Sequence, residues 1–133
     1  MLLRRPAWWH SSGVRRIAAV SLLLFAACSG LAFYQRFESD TLYFGTAKPD
    51  HTVVTLSEWE RFLKDEVTPR FEGFTVWEAR GVWKGESEAS HVLQIVHGPG
   101  KEAAIAAIID AYKKRFAQEA VLQVRSDVWL RVR

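Results

Sequence analysis

Phe74-Thr-Val-Trp-Glu-Ala-Arg-Gly-Val-Trp83, followed by Lys84-Gly85-Glu86-Ser87 and then Ser90–His97, decides the fold. The first segment is rich in β-formers, and strict alternation places Thr75, Trp77, Ala79, Gly81 and Trp83 on one side of an extended chain. Gly85-Glu86-Ser87 reads as a turn, which makes Ser90–His97 the returning strand of a hairpin. The small residues between the two tryptophans leave room for something to pack against that face.

Working outward, each side of the hairpin carries a helix and a further strand. Upstream, Ser57-Glu-Trp-Glu60 has capping-box spacing, in which hydroxyl and carboxylate satisfy each other's backbone donors. Trp59, Phe62, Leu63 and Val67 follow at helical spacing until Pro69. Before them, Thr41-Leu-Tyr-Phe-Gly45 reads as a strand. Downstream, Gly98-Pro-Gly100 breaks the chain. Ile105, Ile108, Ile109, Tyr112 and Phe116 then mark one face of a helix over 101–118. Leu122, Val124, Val128, Leu130 and Val132 alternate with Gln123, Arg125, Asp127 and Arg131, predicting a half-buried last strand bulged near Ser126. The order β-α-β-β-α-β implies an α+β, ferredoxin-like domain: a four-stranded antiparallel sheet with two helices on one face.

The first quarter of the 133 residues has a different character. Arg4, Arg5, Arg15 and Arg16 are its only charges, and no acidic residue precedes Glu38. Ile17–Ala27 is an apolar run ending in Phe25-Ala-Ala-Cys28, which resembles the lipobox of bacterial lipoproteins with Cys28 as the lipidated residue. Two alternatives stand beside it. The 19 uncharged residues Ile17–Gln35 are long enough, at about 28 Å of helix, for an uncleaved anchor. Ordinary cleavage would give a soluble form. The expected organisation is 1–27 signal peptide, 28–40 tether and 41–133 a single domain, attached to a membrane through Cys28 or an N-terminal helix. All three readings place residues 40–133 outside the cytoplasm, and the two attached forms in the cell envelope. Ser29, rather than Asp, after Cys28 favours an outer-membrane lipoprotein facing the periplasm; the anchor reading gives an inner-membrane protein with a periplasmic domain.

The net charge of +3 changes meaning accordingly. Taking the leader's four arginines from the 18 Lys+Arg leaves 14 against 15 Asp+Glu, so the basic bias belongs to export and the nucleic-acid reading loses its support. The returning strand also lacks the aromatic platform of RNA-binding versions of the fold. With Cys28 as the only cysteine, no disulfide or Cys-rich metal site forms. His91 and His97 lie about 20 Å apart along one strand and cannot share an ion, so no metal and no cofactor is expected. Gly98-Pro-Gly-Lys101 lacks the remaining residues of a phosphate loop: Ile95 and Glu102 occupy the positions that need Gly and Ser/Thr. No catalytic serine motif occurs.

What remains is an aromatic set, Trp77, Trp83, Tyr112 and Phe116, with Arg70, Glu88 and Arg125 as polar partners. Such a set describes a ligand pocket or equally the core of a small domain. Three functions are consistent with it. The first is a domain that binds a ligand or an envelope protein partner without catalysis. The second is a small enzyme with a pocket of Arg70, Trp83, Glu88 and Tyr112. The third is a subunit that dimerises through its open sheet face, with Trp77 and Trp83 between protomers.

Leu42-Tyr-Phe-Gly45, Thr68-Pro-Arg-Phe71 with Gly73-Phe-Thr-Val76, Gly81-Val-Trp83, Glu88-Ala-Ser90, and Tyr112-Lys-Lys-Arg-Phe-Ala-Gln118 with Ala120-Val-Leu122 together resemble a bacterial domain-of-unknown-function family, number 3574. The resemblance implies a small exported protein, often a lipoprotein, and no particular activity. Glu72 stands where the family more often has Pro, and Val82 where it more often has Gln.

Overall fold

The computed structural model describes residues 34–131. Six elements follow in order: β1 (Gln35–Gly45), α1 (Leu56–Phe62), β2 (Thr75–Trp83), β3 (Glu86–His97), α2 (Glu102–Phe116) and β4 (Leu122–Leu130). The sheet order is β2-β3-β1-β4 and every neighbouring pair is antiparallel. This is the ferredoxin-like α+β layout. The expected leader and Cys28 lie outside the described residues. Among the described residues, no helix is long and apolar enough to cross a membrane.

The hairpin closes more tightly than its sequence suggests. Trp83 pairs with Glu86, so the turn is the two-residue Lys84-Gly85, with φ of 51° and 86°. Positive φ at both central positions is the primed geometry whose twist matches that of the strands. Glu86 and Ser87, expected in the turn, are therefore the first residues of β3.

Other details differ from expectation. Strand β1 starts at Gln35, so residues 35–40 of the expected tether are sheet. The first helix is capped by Thr55 with Glu58 rather than by Ser57 with Glu60. Both pairs have the required spacing, and the earlier one also lets Glu58 reach Lys48 at 2.8 Å. The helix then ends in a π-helical turn, Leu63–Val67, before Pro69. Strand β4 carries no bulge: Thr41↔Val124, Asp40↔Arg125 and Ser39↔Ser126 follow in unbroken register.

The core lies between the helices and the central strands. Leu42, Phe44, Leu93 and Ile95 point from β1 and β3 toward Trp59 and Phe62 of α1 and toward Ile105, Ile108, Tyr112 and Phe116 of α2. The 3- and 4-residue spacings in α2 keep all four of its side chains on one stripe. Phe44 is the hub, with ring centroids 4.5 Å from Tyr112 and 5.4 Å from Trp59. Each such fully buried side chain contributes roughly 1.5–3 kcal/mol.

The opposite face of the sheet is open. Trp77, Trp83, Val96, Leu122 and Val124 on that face are each at least two-fifths exposed. The expectation that β4 is half-buried is therefore corrected. Its apolar row, Leu122 to Leu130, lies on the open face, while Gln123 and Arg125 point to the helix side. The reason is Asp40, which is wholly buried on that side and needs donors.

Candidate functional site

An open cleft of about 560 Å³ lies where the β2–β3 turn, the end of β1 and the α2–β4 connection meet. Tyr43, Gly81, Trp83 and Leu122, all on the open-face side of their strands, form an apolar wall, and Lys48, Lys84, Glu86, Glu88 and Glu119 supply its charges.

Glu88 is held in place by the end of β1. Its Oε1 accepts the Ala47 backbone N–H at 3.2 Å, and the carboxylate lies directly over Gly45. A Cβ on Gly45 would stand 2.9 Å from the Glu88 Cδ, so only glycine lets the carboxylate occupy this position. Beneath, the Tyr112 hydroxyl donates to the Gly45 carbonyl at 2.9 Å. Burial, then the charges of Glu88 and Glu58, push the Tyr112 hydroxyl well above its ordinary range. It stays protonated and serves as a fixed donor rather than a base.

Both lysines of the cleft are already paired. Lys48 Nζ is 2.8 Å from Glu58, and that contact, followed by the Thr55 backbone N–H, brings the Glu58 carboxyl down to about 2. Lys84 Nζ meets both oxygens of Glu119, at 2.8 and 3.0 Å, joining the β2–β3 turn to the α2–β4 connection. Gln118 ties the same connection to β1 by donating to the Ala47 carbonyl at 2.7 Å.

The residues singled out in the sequence are divided by this geometry. Trp83 and Glu88 line the cleft, and Tyr112 lies under it. Trp77 is on the open face beside Val92, away from the cleft. Phe116 packs in the core with Tyr112, so the four aromatic residues are split between the two faces of the sheet. Arg70 and Glu88 do not converge. Arg70 donates to Glu66 Oε2 at 3.1 Å, and its neighbour Phe71 packs on His97, nine residues or about 30 Å along β3 from Glu88.

Arg125 belongs to a separate network that covers the buried Asp40 and His97 from the solvent side. Its Nε and Nη2 are each 3.0 Å from Asp40, which also accepts from Gln123 at 2.7 Å and contacts His97 Nε2 at 2.8 Å. Burial pushes the Asp40 carboxyl up, but hydrogen bonds from Arg125, Gln123 and His97 outweigh it and hold the group below its ordinary value. His91, the other buried histidine, stacks on Trp59 at 4.7 Å, and burial lowers its affinity for a proton. Among the described residues, no three His, Cys, Asp or Glu side chains are grouped to hold a metal.

Tyr43, Gly45 and Leu122 were not singled out as site residues. Their signal was nonetheless present: the cleft gathers residues from four of the five segments that carry the family resemblance, those around Gly45, Trp83, Glu88 and Gln118–Leu122.

No curated protein matches the sequence. Among solved structures, the chain is similar to a phage SAM lyase in complex with S-methyl-5′-thioadenosine, with a TM-score of 0.54 and 19% identity over 72% of this chain and 90% of that one. The same lyase in its apo state gives a TM-score of 0.45 and 16% identity over 73% and 90%. At 19% identity the first likeness concerns the fold alone. The family model for proteins of unknown function, DUF3574, matches residues 39–131, which covers every element from the middle of β1 onward, and the chain belongs to that family.

Proposed function

We propose that this chain is an exported, membrane-attached binding protein whose cleft at the end of the sheet takes a small organic ligand. The observation that carries the reading is the cleft itself: an apolar wall of Trp83, Tyr43 and Leu122 facing a carboxylate that β1 holds in place over a glycine. A few fixed polar groups in a largely apolar recess are the usual make-up of a small-molecule site. The lipobox-like Phe25-Ala-Ala-Cys28 and the basic leader support export and attachment in the cell envelope, and Ser29 after Cys28 supports the outer membrane, with the domain facing the periplasm.

The test is a titration of 5-fluorotryptophan-labelled full-length protein with benzyl alcohol, followed by 19F NMR. The Trp83 resonance, assigned with Trp83→Phe, is expected to move. That of Trp129 should not, since it lies about 23 Å along β4 from Leu122. Equal movement of both, or silence of Trp83 toward benzyl alcohol and toward charged benzyl compounds of similar size alike, rejects the cleft as the site.

A second reading, an enzyme, draws on the lyase fold together with a carboxylate and a protonated tyrosine at one end of the sheet. Incubation with S-adenosylmethionine and chromatography for S-methyl-5′-thioadenosine tests it; no product above a protein-free control rejects that activity.

A further inference from the structure

The cleft's charges are not balanced. Five ionisable side chains other than tyrosine line it. Lys48 is neutralised by Glu58 and Lys84 by Glu119, each at 2.8 Å. Among the described residues Glu86 and Glu88 have no cationic partner, so the charge left facing the cleft is negative. Glu88 has one oxygen engaged by Ala47 N–H and the other without a protein donor. Beneath the cleft, burial is the main cause that raises the Tyr112 hydroxyl, and the Glu88 charge adds to it.

The apolar wall agrees with this sign. Indole and phenol rings present their electron-rich faces to cations, and Trp does so most strongly. Trp83 is half exposed at the cleft, and Tyr43, on β1 opposite Val92 of β3, lines another part of it. A carboxylate and an aromatic ring at one recess favour a positively charged ligand, and both disfavour an anion.

We propose that the cleft selects an organic cation with an apolar body, its charge against Glu88 and its body on Trp83 and Tyr43. This rests on the ligand-binding reading and narrows it to one charge class. The Gly45 approach is the device that makes it work: it lets the carboxylate lie over the strand end, where Ala47 N–H fixes one oxygen and leaves the other for the ligand. Glu86, in the strand pair next to Trp83, adds to the field without that fixation.

Three probes of similar size separate charge from shape: benzyltrimethylammonium, benzyl alcohol and benzoate, each titrated against the Trp83 19F resonance of the full-length protein. The cation is expected to bind about tenfold more tightly than the alcohol, and benzoate most weakly. Added salt should narrow the gap between cation and benzoate. Glu88→Gln keeps an acceptor for Ala47 N–H and the shape of the side chain, and is expected to remove most of the tenfold advantage. Glu86→Gln should remove less. Equal affinities for all three probes, or an undiminished preference in Glu88→Gln, overturn the charge selection and leave the binding reading in place. No response of Trp83 to any probe overturns both.

Discussion

Gly45→Ala separates the requirements of the cleft from those of the fold. The new Cβ would stand 2.9 Å from Glu88 Cδ and 3.1 Å from Oε2, closer than side chains tolerate. The obstructing group is the end of a flexible side chain rather than backbone, so Glu88 swings away instead of the sheet opening. What is lost is the Ala47 N–H···Oε1 bond, 3.2 Å long and solvent-exposed. Hydrogen bonds to charged groups contribute about 1.5–3 kcal/mol, but here water replaces the carboxylate, so the expected loss is about 1 kcal/mol. For a domain of this size that lowers Tm by roughly 4–8 °C. Binding should change far more, because the displaced carboxylate no longer faces the ligand; the cation preference should fall to the level of Glu88→Gln. Thermal unfolding and the Trp83 titration on the same sample give both numbers. A stability loss above about 3 kcal/mol would mean that Glu88 cannot move and that the fold itself depends on Gly45. A variant with an intact cation preference would refute the claim that the glycine positions the carboxylate.

Asp40→Asn leaves an amide N–H₂ pointing at the donors of Arg125 and Gln123. Arg125 is a third exposed and keeps Glu38 and Glu102 within 4 Å, so the loss is that of hydrogen bonds to a charged group, about 1.5–3 kcal/mol, to be read from urea unfolding at pH 7. The Asp40 carboxyl is held below its unfolded value, so its contribution is complete above about pH 4 and fades as the pH falls through the lower folded value. Asparagine lacks that part of the acid-induced loss, and identical acid limbs in the two proteins would contradict the assignment. Cys28→Ser should abolish incorporation of labelled fatty acid on expression in a bacterial host, whereas persistent labelling, or none in the parent, would defeat lipid attachment.

Much of the fold was legible because its signals are local. Alternation across Phe74–Trp83 and helical spacing in α2 each follow from a single segment, and both are present in the structure. Asp40 was not legible. Flanked by Glu38, Ser39 and Arg36 it reads as a solvated tether, and only pairing with Arg125, 85 residues away, makes its burial sensible. The site divides in the same way. Trp83 and Glu88 were found because aromatic and charged residues on a hairpin attract notice. Gly45 and Leu122 acquire their roles only from strand order, which brings β1 between β3 and β4. Arg70 looked available because its partner, Glu66, is set by the helical turn between them.

The Asp40 network also fixes how the last strand aligns. An edge strand with apolar and polar rows in strict alternation can slide by one residue at little cost in backbone pairing, exchanging its two faces. Here such a slide would set Val124 opposite Asp40 and strip a wholly buried carboxylate of two of its donors. Gln123 and Arg125 thereby act as a register pin at the sheet's margin, and they keep Leu122 at the mouth of the cleft rather than beneath the helices.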